Sequence, residues 1–190
     1  GQSLSRWSLI AMMGFSLSFG IGLFFLLPLL IARSMDGFIP SDGLSSALEG
    51  LLRLAIFVAY IFLIGLMPDI KRVFAYHGAE HMSVHAYEDG APLEVNKVRA
   101  YPKAHNRCGT AFLLMVMMVA IVVFIFVGRP SLPVSILSRV ILIPVIASIS
   151  YEIIRFSGFH RRNPIVKALV YPSIALQSLT TRVPDDTQIE

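Results

Sequence analysis

Long apolar stretches alternate with polar segments along the chain and predict where it crosses a membrane. Four apolar runs cover residues 8–31, 51–67, 110–127 and 132–154. A helix of about 20 apolar residues crosses the hydrocarbon core of a bilayer, so each run predicts a transmembrane helix. Pro144 lies inside the fourth run and should kink it, because proline lacks the N–H of a helical hydrogen bond. The pattern predicts an all-α, polytopic membrane helical bundle of about four transmembrane helices in a single membrane domain.

The polar segments predict two further helices. Residues 69–109 form the longest polar stretch, and within residues 69–88 there is no proline and the only glycine is Gly78, which favours a His-rich helix. Residues 164–180 resume a broken apolar pattern, typical of an interfacial helix that lies on the membrane or docks on the bundle. The Ser-, Asp- and Gly-containing residues 34–46 indicate a loop outside the membrane.

Composition excludes several classes of protein. Apolar residues make up 55% of the 190 and charged residues only 15%, which leaves no room for a large soluble catalytic domain. A single cysteine excludes an intramolecular disulfide. The net charge of +4 on so apolar a chain predicts contact with the lipid bilayer and its anionic headgroups. Basic and aromatic residues do not interleave as in nucleic-acid-binding surfaces, so no nucleic acid is expected as a partner.

The positions of the basic residues predict the orientation of the spans. If the four spans alternate in direction, twelve of the 16 Lys and Arg residues fall on one side, and Arg33, Arg53, Arg129 and Arg139 fall on the other. The positive-inside rule then places both termini and the loop of residues 68–109 in the cytoplasm.

The strongest functional signal is a cluster of histidines in this loop. Four of the five histidines lie between His77 and His105, close to the single cysteine, Cys108. On a helix, the polar side chains of the first part of the cluster share an arc of about 140°. The opposite face carries small residues, which predicts that another helix approaches it closely. The residues of the polar arc are His77, Glu80, His81, His85 and Glu88.

The spacing inside the cluster is typical of a zinc site. His77-Gly-Ala-Glu80-His81 matches the His-x-x-Glu-His pattern of inverted zinc metalloproteases. The expected cofactor is zinc or another divalent transition metal, bound by His77, His81 and one or two further donors from Glu88, His105 and Cys108. An open site would use Glu80 as the general base, whereas a closed site would be structural. Incidental polar clustering and a core role for Cys108 remain the alternatives.

A second polar group ends the fourth run. Glu152 and Arg155 are one helical turn apart, so they either pair with each other or take part in function. In the second case they would, like His85, orient a ligand, or they would receive a substrate headgroup. Arg155, Arg161, Arg162 and Lys167 together predict a basic collar that meets anionic lipid.

Several blocks of sequence resemble a known family. They are residues 75–81 (AYHGAEH), 85–88 (HAYE), 105–110 (HNRCGT), 150–152 (SYE) and 179–190 (LTTRVPDDTQIE). In order and spacing they resemble the YqhQ-like family of bacterial polytopic membrane proteins, a domain of unknown function regarded as a predicted metal-dependent enzyme.

This resemblance implies an integral protein of the bacterial inner membrane. It also implies that the polar residues typical of the family are His77, Glu80, His81, His105, Cys108 and Glu152. The chain departs from the family pattern at Met82, where a basic residue is usual. Longer members open with a soluble segment, so the chain is expected to be a fragment or a shortened paralogue.

Three functions follow as hypotheses. The first is a metal-dependent hydrolase that acts on a membrane-associated peptide or lipid, with Glu80 as the catalytic base. The second is a non-catalytic accessory or assembly subunit of a larger membrane complex, with a structural metal or a polar network. The third is a carrier or channel that uses Arg139, Glu152 and Arg155, which would require a homo-oligomer because four spans leave little room for a pathway.

Overall fold

The structure of the protein, a computed structural model, describes residues 5–105, 108–160 and 163–190, and most of these residues are helical. Within these ranges no strand occurs, which confirms the predicted all-α class. A π-helical turn, Gly22–Leu26, joins the first two helices, and a 3-10 turn, Asp36–Phe38, follows the second. The helices are α1 (Arg6–Ile21), α2 (Leu27–Ser34), α3 (Asp42–Ile64), α4 (Pro68–Glu88), α5 (Val95–Val98), α6 (Gly109–Val127), α7 (Leu132–Ile141), α8 (Ile143–Phe159), α9 (Pro164–Thr180) and α10 (Asp186–Ile189).

Three or four of these helical segments could cross a membrane. From α1 to α2 the chain forms one helix, Arg6–Ser34, of 29 residues, while α3 has 23 and α6 has 19, and all three are sufficiently apolar. The helices α7 and α8 meet the same criteria only as a pair, bent by 44°. The bend lies at Leu142, two residues before Pro144, so the kink occurs where the sequence predicts it.

Helix α3 differs most from the sequence-based expectation. It begins at Asp42, within the segment predicted as a loop, and it ends at Ile64. Its first turns carry Ser45, Ser46 and Glu49, all of which are buried. The average hydropathy of this segment is that of a loop, although Glu49 pairs with the buried Arg53 and Arg139 and the Ser45 hydroxyl donates to Asp36 Oδ1 at 2.7 Å.

The chain divides into two compact units. Unit 1 comprises the described residues up to Phe57 together with Ala120–Ile146, and unit 2 comprises Val58–Val119 together with Ala147–Glu190. The His-rich helix α4 and the helix α9 belong to unit 2.

Unit 1 buries a cluster of charged side chains. The Glu49 carboxylate accepts hydrogen bonds from Arg53 at 2.7 Å and from Arg139 at 3.1 and 2.8 Å. The Phe124 ring lies 4.9 Å from the guanidinium carbon of Arg53 and 4.3 Å from that of Arg139. All three charged side chains are at most 1% exposed, so the charges stabilise one another instead of being solvated. We call these three residues the arginine–glutamate cluster.

In unit 2 the chain that follows α9 packs against the small residues of α4. The Arg182 main-chain N–H donates to the Phe74 carbonyl at 2.8 Å, and the Arg182 guanidinium donates to the Gly65 carbonyl at 3.1 Å. A Cβ atom on Gly78 would overlap the Arg182 carbonyl oxygen. At Gly78, therefore, the neighbour is an extended segment and not the helix that the small residues predict.

Short helices cover the rest of this face. Met82 and Ala86 of α4 form a small core with Val98 of α5, and Tyr101 and Ile189 pack against it. Helix α9 begins where Asn163 accepts main-chain hydrogen bonds from the two residues after Pro164. One side of its last turns is buried, which favours the docked form of the predicted interfacial helix.

Candidate metal centre

The candidate centre is built on one side of α4. Pro68 at the start of this helix has a backbone angle suited to a first turn. His77, His81 and His85 follow at four-residue spacing, so they lie along one side of the helix. The ring centroids of His77 and His81 are 4.4 Å apart.

Three donor atoms converge at the beginning of α6. In the described part of the chain, one nitrogen each of His77 and His81 and the Cys108 sulfur all lie within 4.8 Å of one another. His77 Nε2 lies 3.1 Å from Cys108 Sγ. Cys108 directly precedes α6, and the Thr110 hydroxyl and main-chain N–H lie 3.0 and 3.4 Å from its sulfur. The positive end of the helix therefore favours a negatively charged sulfur. We call His77, His81 and Cys108 the first donor group.

A second donor group lies further along α4. It consists of His85, Glu88 and His105, whose donor atoms also lie within 4.8 Å of one another. His105 Nε2 is 3.6 Å from Glu88 Oε2. The main chain of His105 is held from both sides by Gln177, because its N–H donates to the Gln177 side-chain oxygen and its carbonyl accepts from the side-chain nitrogen, each at 2.8 Å.

The three histidines of α4 are oriented by main-chain carbonyls. A carbonyl oxygen only accepts hydrogen bonds, so the nearby ring nitrogen carries the hydrogen, and in a neutral imidazole the other nitrogen keeps its lone pair. Metal-binding histidines are commonly held in this way. The pairs are His77 Nδ1 with the Thr180 oxygen at 2.9 Å, His81 Nδ1 with the Lys103 oxygen at 2.7 Å, and His85 Nε2 with the Ala104 oxygen at 2.9 Å.

The electrostatics of the first group favour a thiolate. Burial opposes ionisation of Cys108, but hydrogen bonds from His81 and Thr110 lower the pKa of the thiol to about 6. Burial would lower the pKa of His81, but hydrogen bonds to Cys108 and to the Lys103 carbonyl raise it. At neutral pH the sulfur is mainly in the ionised form, which is the form that binds metals.

In the second donor group, the surroundings of His105 favour its neutral form. Burial and then the neighbouring His85 lower the pKa of His105, and the hydrogen bond with Glu88 only partly compensates. His105 is therefore neutral at pH 7, as a metal-ligating imidazole must be.

The structure places six of the residues predicted from the sequence in the two donor groups and leaves Glu80, Glu152 and Arg155 outside these groups. Glu80 is exposed and belongs to neither donor group. Glu152 and Arg155 form an exposed ion pair, with 3.5 Å between Oε2 and Nη1. Arg155 also shares a cavity wall with Cys108. Four residues of the predicted blocks and collar lie outside the described residues: Asn106, Arg107, Arg161 and Arg162.

Sequence reasoning misses the residues that support the centre from α9. Gln177, Thr180 and Thr181 are buried, and Thr180 Oγ1 lies 3.3 Å from Thr110 Oγ1. The sequence does indicate these residues, because polar residues stand at the end of a helix that is otherwise apolar. Gln177 binds the main chain of His105, and the Thr180 carbonyl contacts His77. These partners are far apart in the sequence, so local spacing does not predict the contacts.

Comparisons with known proteins identify the family but no reaction. The family described as "Protein of unknown function (DUF1385)" matches residues 1–190, so the chain belongs to this family. The chain is 36% identical over 190 residues to "Uncharacterized protein YqhQ" of Bacillus subtilis (strain 168). The alignment covers 100% of this chain and 60% of that protein's length. These matches confirm the predicted YqhQ-like family. No solved structure matches.

Proposed function

We propose that the protein is a membrane-embedded metal-dependent hydrolase that acts on a membrane-associated peptide or lipid. The metal, zinc or another divalent transition metal, would be held by His77, His81 and Cys108. The observation that supports this proposal is the orientation of the histidine rings. One nitrogen of each ring is bound to a main-chain carbonyl, and the other is turned towards the thiol.

The chemistry of this donor group suits zinc. Zinc is commonly bound by imidazole nitrogen and thiolate sulfur, and a site with three protein ligands keeps one position for water or substrate. When bound, zinc would supply a Lewis acid and lower the pKa of a water molecule towards neutrality. The lowered pKa of Cys108 favours the thiolate that binds a metal. His81 donates from Nδ1 to the Lys103 carbonyl, so it must release the proton through which it bonds the sulfur before it can bind a metal itself.

The remaining polar residues take supporting roles. Glu80, exposed and adjacent to His81, is assigned as the group that accepts a proton from water. Thr180 holds the His77 ring through its carbonyl, and Thr110 stabilises the thiolate. The second donor group offers Glu88 and His105 as the ligands that would close the site if it were structural.

Elemental analysis of the detergent-purified protein tests the proposal. We expect about one equivalent of a transition metal in the wild-type protein and its loss in a His77→Ala, His81→Ala double variant. His160→Ala is the matched control, because the fifth histidine is exposed on the chain after α8 and stacks on Phe156. This control should retain the metal.

Two results would contradict metal binding at this centre. One is a metal-free wild-type protein even after zinc supplementation, and the other is full metal content in the double variant. Glu80→Gln then tests the hydrolase assignment, because it should keep the metal and lose turnover. Turnover that persists in this variant would exclude Glu80 as the base.

The second candidate function is a non-catalytic assembly subunit of a larger membrane complex. The observation that favours it is the polar network, which ties α4, the loop before α6 and the end of α9 together without requiring a metal. Stoichiometric co-purification of other membrane proteins with a metal-free chain would support this function over the hydrolase.

A further inference from the structure

A cavity opens beside the first donor group. It has a volume of about 440 Å³ and lies within unit 2, between the first turn of α6 and the last turns of α8. Phe112, Ile154 and Phe159 give it mainly apolar walls, while Cys108 lies on one side and Arg155 on another. This volume is in the range of sites that bind small molecules.

The position of the cavity matches the boundary between acyl chains and headgroups. The helices α6 and α8 are apolar enough to belong to membrane spans, and the cavity lies where α6 begins and α8 ends. The ends of spanning helices meet the lipid headgroups. Phe159 and Tyr151 on the cavity wall are 75% and 58% exposed, which suits contact with lipid.

The positive charge on the cavity wall favours lipids with a negatively charged headgroup. Among the residues that the structure describes, Arg155 is the only basic one in the lining, and its exposed partner Glu152 lies 3.5 Å away, outside the lining. An exposed ion pair of this kind contributes little, so a phosphate can compete for the guanidinium with two parallel hydrogen bonds. A peptide substrate would need donors and acceptors for its main chain, which the apolar walls do not offer.

From the cavity and the Arg155 guanidinium on its wall, we propose that an anionic phospholipid binds here, with an acyl chain against the apolar walls and its phosphate at Arg155. Binding of this lipid does not depend on the proposed function. Only the statement that the lipid is the substrate of the hydrolase rests on that function. In that reaction the bond between the acyl carbon and the glycerol oxygen breaks. Water supplies a hydroxyl group to the carbon and a proton to the oxygen.

Photo-crosslinking in lipid nanodiscs tests binding. The probes are phosphatidylglycerol and phosphatidylcholine that carry a diazirine on one acyl chain, and labelled peptides are identified by mass spectrometry. We expect the peptides around Phe112 and residues 151–159 to be labelled about fivefold more by the anionic probe. Arg155→Gln should remove this preference by lowering the labelling by phosphatidylglycerol more than that by phosphatidylcholine, whose choline offsets the charge of its phosphate.

A variant that narrows the cavity separates this inference from the metal proposal. Gly109 lines the cavity, and a Cβ added there meets no atom within 4 Å, so Gly109→Leu should reduce the labelling of these peptides and keep the metal. Gly14→Leu on α1 also meets nothing within 4 Å and is the matched control. Undiminished labelling in Gly109→Leu, or equal labelling by both probes in the wild type, would overturn the inference. Selective labelling of a metal-free protein would support the lipid site and contradict the proposed hydrolase.

Discussion

Two buried polar regions of the protein use their side chains in opposite ways. In unit 1, both oxygens of Glu49 are occupied by the guanidinium groups of Arg53 and Arg139. In unit 2, main-chain carbonyls occupy one nitrogen of His77 and of His81, and the second nitrogen is turned towards Cys108. The first region is closed on itself, whereas the second presents converging donors. Burial of polar residues therefore does not distinguish the two regions, whereas the direction of their remaining donor atoms does.

The largest effect is expected in the arginine–glutamate cluster. Glu49→Gln leaves two buried guanidinium groups without a counter-charge, which should lower the free energy of unfolding by about 3–5 kcal/mol. Thermal unfolding in detergent measures the loss. Replacing Glu49, Arg53 and Arg139 together by leucine removes all three charges and should recover most of the stability. A triple variant less stable than Glu49→Gln would mean that the cluster does more than neutralise its own charges.

The thiol of unit 2 should react at unusually low pH. In chelator-treated protein, the rate of Cys108 alkylation by iodoacetamide should reach half its maximum near pH 6, because its pKa is lowered to about 6. The thiolate fraction rises as the pH increases through this value. The chain has one cysteine, so total alkylation reports this residue alone.

The matched variant for this experiment is His81→Ala. Without the hydrogen bond from His81, the midpoint should move towards the ordinary thiol value of about 8.5. A wild-type midpoint that already lies there would show that the histidines do not stabilise the thiolate, and the contrast between the two regions would fail.

A smaller effect on metal affinity is expected when the segment that orients the His77 ring is displaced and His77 itself is kept. Gly78→Ala places a Cβ against the Arg182 carbonyl and displaces the segment that carries the Thr180 carbonyl. Metal affinity should fall by about 10–100-fold, as expected when a group that orients a ligand is disturbed. Competition with a chromophoric chelator measures the affinity. Gly14→Ala, on the open surface of α1, should leave it unchanged.

The smallest effect is expected for the exposed pair of unit 2. Glu152→Gln breaks an ion pair whose side chains are more than half exposed, so the free energy of unfolding should change by less than about 0.5 kcal/mol. Chemical unfolding in detergent provides the measurement. A loss comparable to that of Glu49→Gln would mean that exposure does not distinguish the two pairs.

The sequence predicts the fold well where a helix depends only on the residues of its own segment. Long apolar runs predict helices at α1, α6 and α8, and Pro144 predicts the bend beside it. The start of α3 is missed because Glu49 and Ser45 resemble loop residues in any average of hydropathy. Their burial depends on partners such as Arg139, which lies far along the chain.

The candidate site is predictable to a similar depth. Four-residue spacing places His77 and His81 on one side of a helix, and their clustering in the sequence correctly associates them with Cys108. The separation into two donor groups, with Glu88 in the second, is not visible in the spacing. The orienting carbonyls are equally invisible because every residue has one. The catalytic role of Glu80 stays a prediction.

The contact between His77 and Thr180 has a consequence for biosynthesis. Thr180 follows His77 by 103 residues, so the ribosome needs roughly 5–20 s to synthesise the intervening chain. During that interval His77 and His81 have been made, but the carbonyl that sets the angle of the His77 ring has not. At this stage the His77 imidazole is not yet oriented, whereas the Lys103 carbonyl that orients His81 has already been synthesised. The three donors of the first group are therefore all oriented only after translation has passed α9, and the proposed metal, if it selects this arrangement, would bind after that point.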